Sequence, residues 1–332
     1  LLRSYPKSYH RTEARYWAGR TAEKLKQYTR ATKYYQQVVK DGHNSYFGML
    51  SRKALKRLKH ARPKHEISIE KTEFKPLDWE KNVRFNTQTG KRHFQKSVML
   101  ERLGLTTLAA HEMAYAVSKD AKSQTQYLEL ARLYARSGLY HELVRLMQSR
   151  FWHWILQGDD SLPSEFWRLA YPLSYPRLVR QASMRHGIDP ALVLSLMFAE
   201  SAFDPEAFSS AGAIGLMQLM PATGARLARI EGLAILSEQE YFRPHINIAL
   251  GTRYLRDLSE LFKRQLPPVI ASYNAGEQRV STWWNAERHQ RDVARFISNI
   301  PYKETWRYVQ KVLWYRREYH RIYGKKTSDS GK

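Results

Sequence analysis

One carboxyl stands out in this 332-residue chain by its surroundings. Glu200 closes the run ALVLSLMFA at positions 191–199, which only Ser195 interrupts. Apolar surroundings make an ionised carboxylate costly. They raise its pKa and leave it able to donate a proton near neutral pH. Asp189-Pro190 reads as a helix opening, with Asp at the N-cap and Pro at the first helical position. The helix that follows is apolar all round, which predicts a buried element. Glu200 then falls at or near its C-terminal end, where the helix dipole also disfavours a negative charge. A general acid has this profile. A buried Glu satisfied by backbone donors would occupy the same position without doing chemistry.

The residues after Glu200 suit a ligand groove. Gly212 and Gly215 permit tight backbone conformations, so the GAIGLMQLMPATG segment can approach a ligand closely. The Gln218 amide offers both donor and acceptor. Met217 reads equally well as core filling, and Pro221 can start the next helix. Asp204 and Glu206 flank Pro205 and read as exposed loop charges. Ordinary glycosidases need two carboxyls, about 5–5.5 Å apart in retaining enzymes, and only Glu200 fits such a role here. The chain has no cysteine. His153, His186, His245 and His289 lack ligand-like clustering and read as structural, so no metal site is expected.

The elements that must position these residues are helical. Strand-like alternation is nearly absent and helical spacing recurs, so the fold class is all-α. Near the N-terminus, Ala14, Trp17 and Ala18, then Ala31 and Tyr35, are expected to pack two helices of a hairpin, resembling one tetratricopeptide-type unit. Pro63, Pro76, Asn82, Asn86 and Gly90 predict a connector over about 62–96, with helices resuming near Val98. Gly138 is a helix stop, and Asp160 or Ser161 is expected to cap the helix that opens a compact domain near residue 165. No apolar run approaches the roughly 20 residues that span a bilayer. The chain starts at Leu1 with no visible export signal and is expected to be a mature or trimmed piece.

Charge is uneven. Residues 1–100 carry 24 Lys and Arg against 8 Asp and Glu, residues 151–250 carry 7 against 10, and residues 251–332 carry 17 against 8. Solvated helical faces would explain the basic ends. So would attraction to a polyanion such as nucleic acid, an anionic membrane or an acidic cell-wall polymer.

The string LVLSLMFAESAFDPEAFSSAGAIGLMQLMPAT (192–223) closely resembles the active-site signature of lytic transglycosylases with a lysozyme-like fold. INIALGTRYL (246–255), ASYNAG (271–276) and NIPYKETWRYVQKVL (299–313) resemble further motifs of that family in order and spacing. The upstream layout is similar to the soluble, periplasmic type. The resemblance implies three parts: the end of a helical-repeat superhelix at 1–75, a helical linker domain at 76–164 and a lysozyme-like catalytic domain at 165–332.

The resemblance also assigns residues. Glu200 matches the catalytic acid/base and Ser209 a substrate-facing serine. Gln218 and Met220 match groove-lining residues, and Tyr273 and Asn274 match the YNAG motif. Glu304 matches an acidic residue near the peptide side of the groove. The reaction implied is non-hydrolytic cleavage of the MurNAc–GlcNAc bond of peptidoglycan to a 1,6-anhydro end, with no metal or organic cofactor needed. The partners implied are glycan strands and other cell-wall enzymes, in the periplasm, with no nucleic acid. The chain departs from the family pattern at Glu277-Gln278, Ser272 and Trp306-Arg307, which bears on groove shape and stem-peptide preference. Two other readings remain open: a lysozyme-like hydrolase on the same fold, and a basic helical scaffold without chemistry.

Overall fold

The computed structural model describes residues 10–42, 45–61, 83–158, 161–286 and 292–324. Pro63, Pro76, Asn82, Asp160 and His289 lie outside them. The chain divides into two compact units, residues 1–77 with 151–162, and residues 78–150 with 163–332. No strand occurs among the described residues, as the all-α expectation requires.

The first unit holds α1 (Arg11–Lys24), α2 (Tyr28–Asp41) and α3 (Tyr46–Ala61). Ala31 and Tyr35 of α2 are fully buried as expected. On α1 the buried residues are Tyr16, Gly19 and Ala22, not Ala14, Trp17 and Ala18. Gly19 explains the rotation, because a Cβ there would lie 2.7 Å from the Tyr35 ring, so that ring seats directly on the α1 backbone. The Tyr35 hydroxyl donates to Glu23, which also accepts a two-pronged contact from Arg57 of α3.

The second unit begins with α4 (Gln88–Arg102), α5 (Thr106–Asp120) and α6 (Gln124–Ser137), followed by α7 (Tyr140–Gln157), whose residues from Phe151 onward fall in the first unit. Helix resumes at Gln88 rather than near Val98. Thr87 caps α4 by accepting the Gly90 N–H, so Gly90 is a first-turn residue and not a break. Its missing Cβ makes room for Asp120 and Phe85. Ser123 and Gln126 form a capping box on α6, and Gly138 ends it in the left-handed conformation, as expected of that glycine.

The remainder comprises α8 (Ser164–Ala170), α9 (Pro176–His186), α10 (Pro190–Ser201), α11 (Pro221–Glu231), α12 (Pro244–Leu261), α13 (Leu266–Ala275), α14 (Glu277–Ala286), α15 (Val293–Ser298) and α16 (Lys303–Tyr323). The N-cap of α8 is Pro163 rather than Ser161. Residues 191–198 of α10 are all buried, which explains why the helix is apolar on every face. Asp189 caps α10 through the Ala191 N–H and also holds Arg316 of α16 at 2.7 Å. Phe198 packs on Tyr315 with ring centres 4.2 Å apart. Together these contacts lay α16 along α10.

Candidate active site

Glu200 is the penultimate residue of α10, and α16 supplies its partner. The Tyr308 hydroxyl donates to Glu200 Oε1 at 2.5 Å. Burial pushes the Glu200 carboxyl up to about 7. The Tyr308 hydrogen bond and the Lys311 charge pull it down, and the Glu304 charge raises it. Desolvation therefore outweighs the two effects that favour the anion. Burial also holds the Tyr308 phenol well above its ordinary range, so it stays a neutral donor.

The 202–220 loop follows α10 directly. Ala202 and Phe203 are left-handed, which turns the chain sharply off the helix end. The Ser201 hydroxyl contacts the carbonyls of Met197 and Leu216, tying the loop back to α10. Two isolated bridges, Phe208 with Ile214 and Ile214 with Leu219, fold the loop on itself. Gly215 sits at φ +73°, and a Cβ there would meet the Asn247 amide at 2.6 Å. Asn247 of α12 is fully buried. It accepts from the Met217 N–H at 2.7 Å and donates to the carbonyls of Ile214 and Tyr241.

Each expected site residue has a definite place. Ser209 is partly buried and accepts from the Ala213 N–H at 2.9 Å, which leaves its hydroxyl hydrogen free to donate. Gln218 has a left-handed backbone, and its amide donates inward to the carbonyls of Ala207 and Gly215. Only its carbonyl oxygen remains for a ligand. Met220 is 44% exposed beside the loop, whereas Met217 is buried core. Tyr273 of α13 donates to the Met217 carbonyl at 2.9 Å. Burial and then the Glu200 charge push its phenol pKa far up. Asn274 accepts from Thr305 of α16 at 2.7 Å. Glu304 is exposed on the first turn of α16.

Glu200, Tyr273, Tyr308 and Lys311 form one electrostatic cluster, with Glu304 at its edge. Asp204 closes its own turn on the Glu206 N–H. No metal-holding cluster of His, Cys, Asp and Glu occurs among the described residues. The structure adds two residues to the expected set, Tyr308 and Asn247. Tyr308 reads in sequence as one of many packing aromatics. Asn247, a polar residue between the apolar Ile246 and Ile248, carried a signal in that contrast.

Residues 177–296 match the family model described as the transglycosylase SLT domain. The chain carries an SLT domain. The chain is 30% identical over 210 residues to the soluble lytic murein transglycosylase of Escherichia coli K12, covering 62% of this chain and 30% of that protein. It is 28% identical over 211 residues to the Salmonella typhimurium protein of the same name, covering 62% and 32%. The chain thus spans about a third of the length of these curated relatives. The crystal structure of the 70 kDa soluble lytic transglycosylase from Escherichia coli superimposes with a TM-score of 0.72 at 23% identity, covering 98% of this chain and 47% of that one. That likeness shows the fold, with the SLT domain as its lysozyme-like part.

Proposed function

We propose that the protein cleaves peptidoglycan as a lytic transglycosylase, with Glu200 as both acid and base. The observation that carries this reading is a carboxyl pushed up to about 7 by burial and held by one tyrosine; among the described residues the carboxylate whose charge reaches it is Glu304, exposed at the edge of the cluster. Protonated Glu200 gives its proton to the oxygen bridging MurNAc and GlcNAc, and that bond breaks. The N-acetyl oxygen of the substrate stabilises the developing cation at C1. The Glu200 carboxylate then takes the proton of the MurNAc C6 hydroxyl, whose oxygen bonds to C1. The product is a 1,6-anhydro end, and no water is consumed.

Around this step, the Tyr308 hydroxyl orients the carboxylate and stabilises it between the two proton transfers. Ser209 offers its hydroxyl hydrogen to the sugar, and the Gln218 carbonyl oxygen and exposed Met220 line the groove. Tyr273 and Asn274 hold the far wall, and Glu304 marks the peptide side. The proposed division is a superhelix end at 1–75, a linker domain at 76–164 and a catalytic domain at 165–332. The murein in the relatives' names supports glycan strands as the substrate; a periplasmic setting and other cell-wall enzymes as partners belong to the same proposal. No helix among the described residues is long and apolar enough to cross a membrane.

Replacing Glu200 by Gln removes the proton and keeps the shape. At least ~3 kcal/mol of transition-state stabilisation is expected to go, roughly a hundredfold in rate. Mass spectrometry of muropeptides from purified peptidoglycan checks this. Anhydro ends should dominate with the native chain and vanish with Glu200→Gln. Reducing ends would point to the hydrolase instead, and undiminished turnover by the variant would end the proposal.

A further inference from the structure

A cavity of about 430 Å³ lies between α5, α6 and α7, within the linker helices. Its lining is more polar than apolar: Leu130 and Leu146 lie beside three cations, Lys119, Lys122 and Arg150. None of the three makes a salt bridge among the described residues, although the Lys122 charge acts on Asp120 and helps to hold its carboxyl below the usual range. The Arg150 guanidinium lies over the Tyr127 ring, 4.5 Å from its centre. The Lys119 ammonium lies 5.2 Å from the centre of the Tyr115 ring. Stacking on an aromatic face holds a cation in place without neutralising it.

The corner that carries Lys119 and Lys122 is fixed by hydrogen bonds. The Gln126 side chain accepts from the backbone N–H groups of Lys122 and Ser123. Its amide donates to the carbonyls of Arg84 and Asp120. Asp120 is the one carboxylate on the cavity wall, and its Oδ2 faces the backbone N–H groups of Asn86 and Thr87. Its negative charge is drawn toward those amides. The cavity is within the size range of small-ligand sites, about 300–1,000 Å³. Cations of one sign in a concave wall focus the field and favour anions, and a prearranged wall loses little entropy on binding.

We infer that this cavity is an accessory binding site for the carboxylate-bearing stem peptides of the polymer that the catalytic domain cleaves. The inference rests on the peptidoglycan reading above. Three cations beside a few apolar side chains suit a short peptide with small side chains that carries carboxylates. A second point of attachment raises the effective concentration of the glycan without any new contact at Glu200.

The test measures retention of the full chain on purified sacculi at low salt, in a Glu200→Gln background so that nothing is cleaved. The K119Q/K122Q/R150Q variant is expected to bind at least fivefold more weakly. Amidating the peptide carboxylates should weaken the parent chain to the same extent and leave the triple variant unmoved. With an active Glu200, the triple variant should cleave peptide-free glycan strands at the native rate. Unchanged retention overturns the inference. So does an equal loss on peptide-free strands, or displacement by duplex DNA as effective as by soluble muropeptides. Failure of the catalytic reading would show separately, as absent anhydro ends with retention intact.

Discussion

Burial sets the working range of Glu200, and Tyr308 pulls against it. Burial raises the carboxyl to about 7 even though the tyrosine's hydrogen bond favours the anion. The signs follow from that balance. The general acid must be protonated, so activity should fall as pH rises through about 7. Tyr308→Phe removes a bond that lowers the pKa, so the alkaline limb should move to higher pH. Activity at its optimum should drop by roughly tenfold as the carboxylate loses its orientation and its stabiliser for the second proton transfer. The pH profiles of kcat/KM for the two proteins check this. An unmoved limb would show that the contact does not set the acidity. Glu200 was legible in sequence because an apolar run ending in a carboxyl is costly without a reason. Tyr308 was not legible. It stands 108 residues away, and nothing local separates it from the other tyrosines of α16.

At the scale of elements, the 202–220 loop is held from outside. Asn247 satisfies the Met217 N–H and the Tyr241 carbonyl, and gives a second donor to the Ile214 carbonyl, which already accepts from the Leu219 N–H. Asn247→Ala strands the Met217 N–H and the Tyr241 carbonyl in a buried place, which should cost about 3 kcal/mol. Thermal unfolding should show a clear drop in Tm, with activity lost well below it as the loop loosens. A variant with native stability would mean that water replaces the amide. Sequence reading placed the helix openings at Pro190 and Pro221 and the stop at Gly138, because caps are local chemistry. It misplaced the start of α4, taking Gly90 for a break. Asp120 and Phe85, which fill the space that Gly90 leaves, lie beyond its immediate neighbours in sequence. It also expected the Gln218 amide to face sugar, whereas the left-handed backbone turns its donors into the loop.

At the scale of the whole molecule, charge is the property that acts over distance. The chain carries a net charge of +24, and its proposed substrate is acidic. Retention on peptidoglycan should therefore fall at least tenfold as salt rises from about 50 to about 300 mM, as the screening length shrinks. Salt-insensitive retention would place binding in shape and hydrogen bonds alone. Local spacing, or the contrast between one residue and its immediate neighbours, alone carries the helical class, the helix openings at Pro190 and Pro221, the stop at Gly138, the motif order and the acid candidate. Only the tertiary structure decided that Tyr308 meets Glu200, that Asn247 pins the loop, and that Lys119, Lys122 and Arg150 share a cavity. These pairings join residues far apart in the chain, and only the packing of helices brings them together.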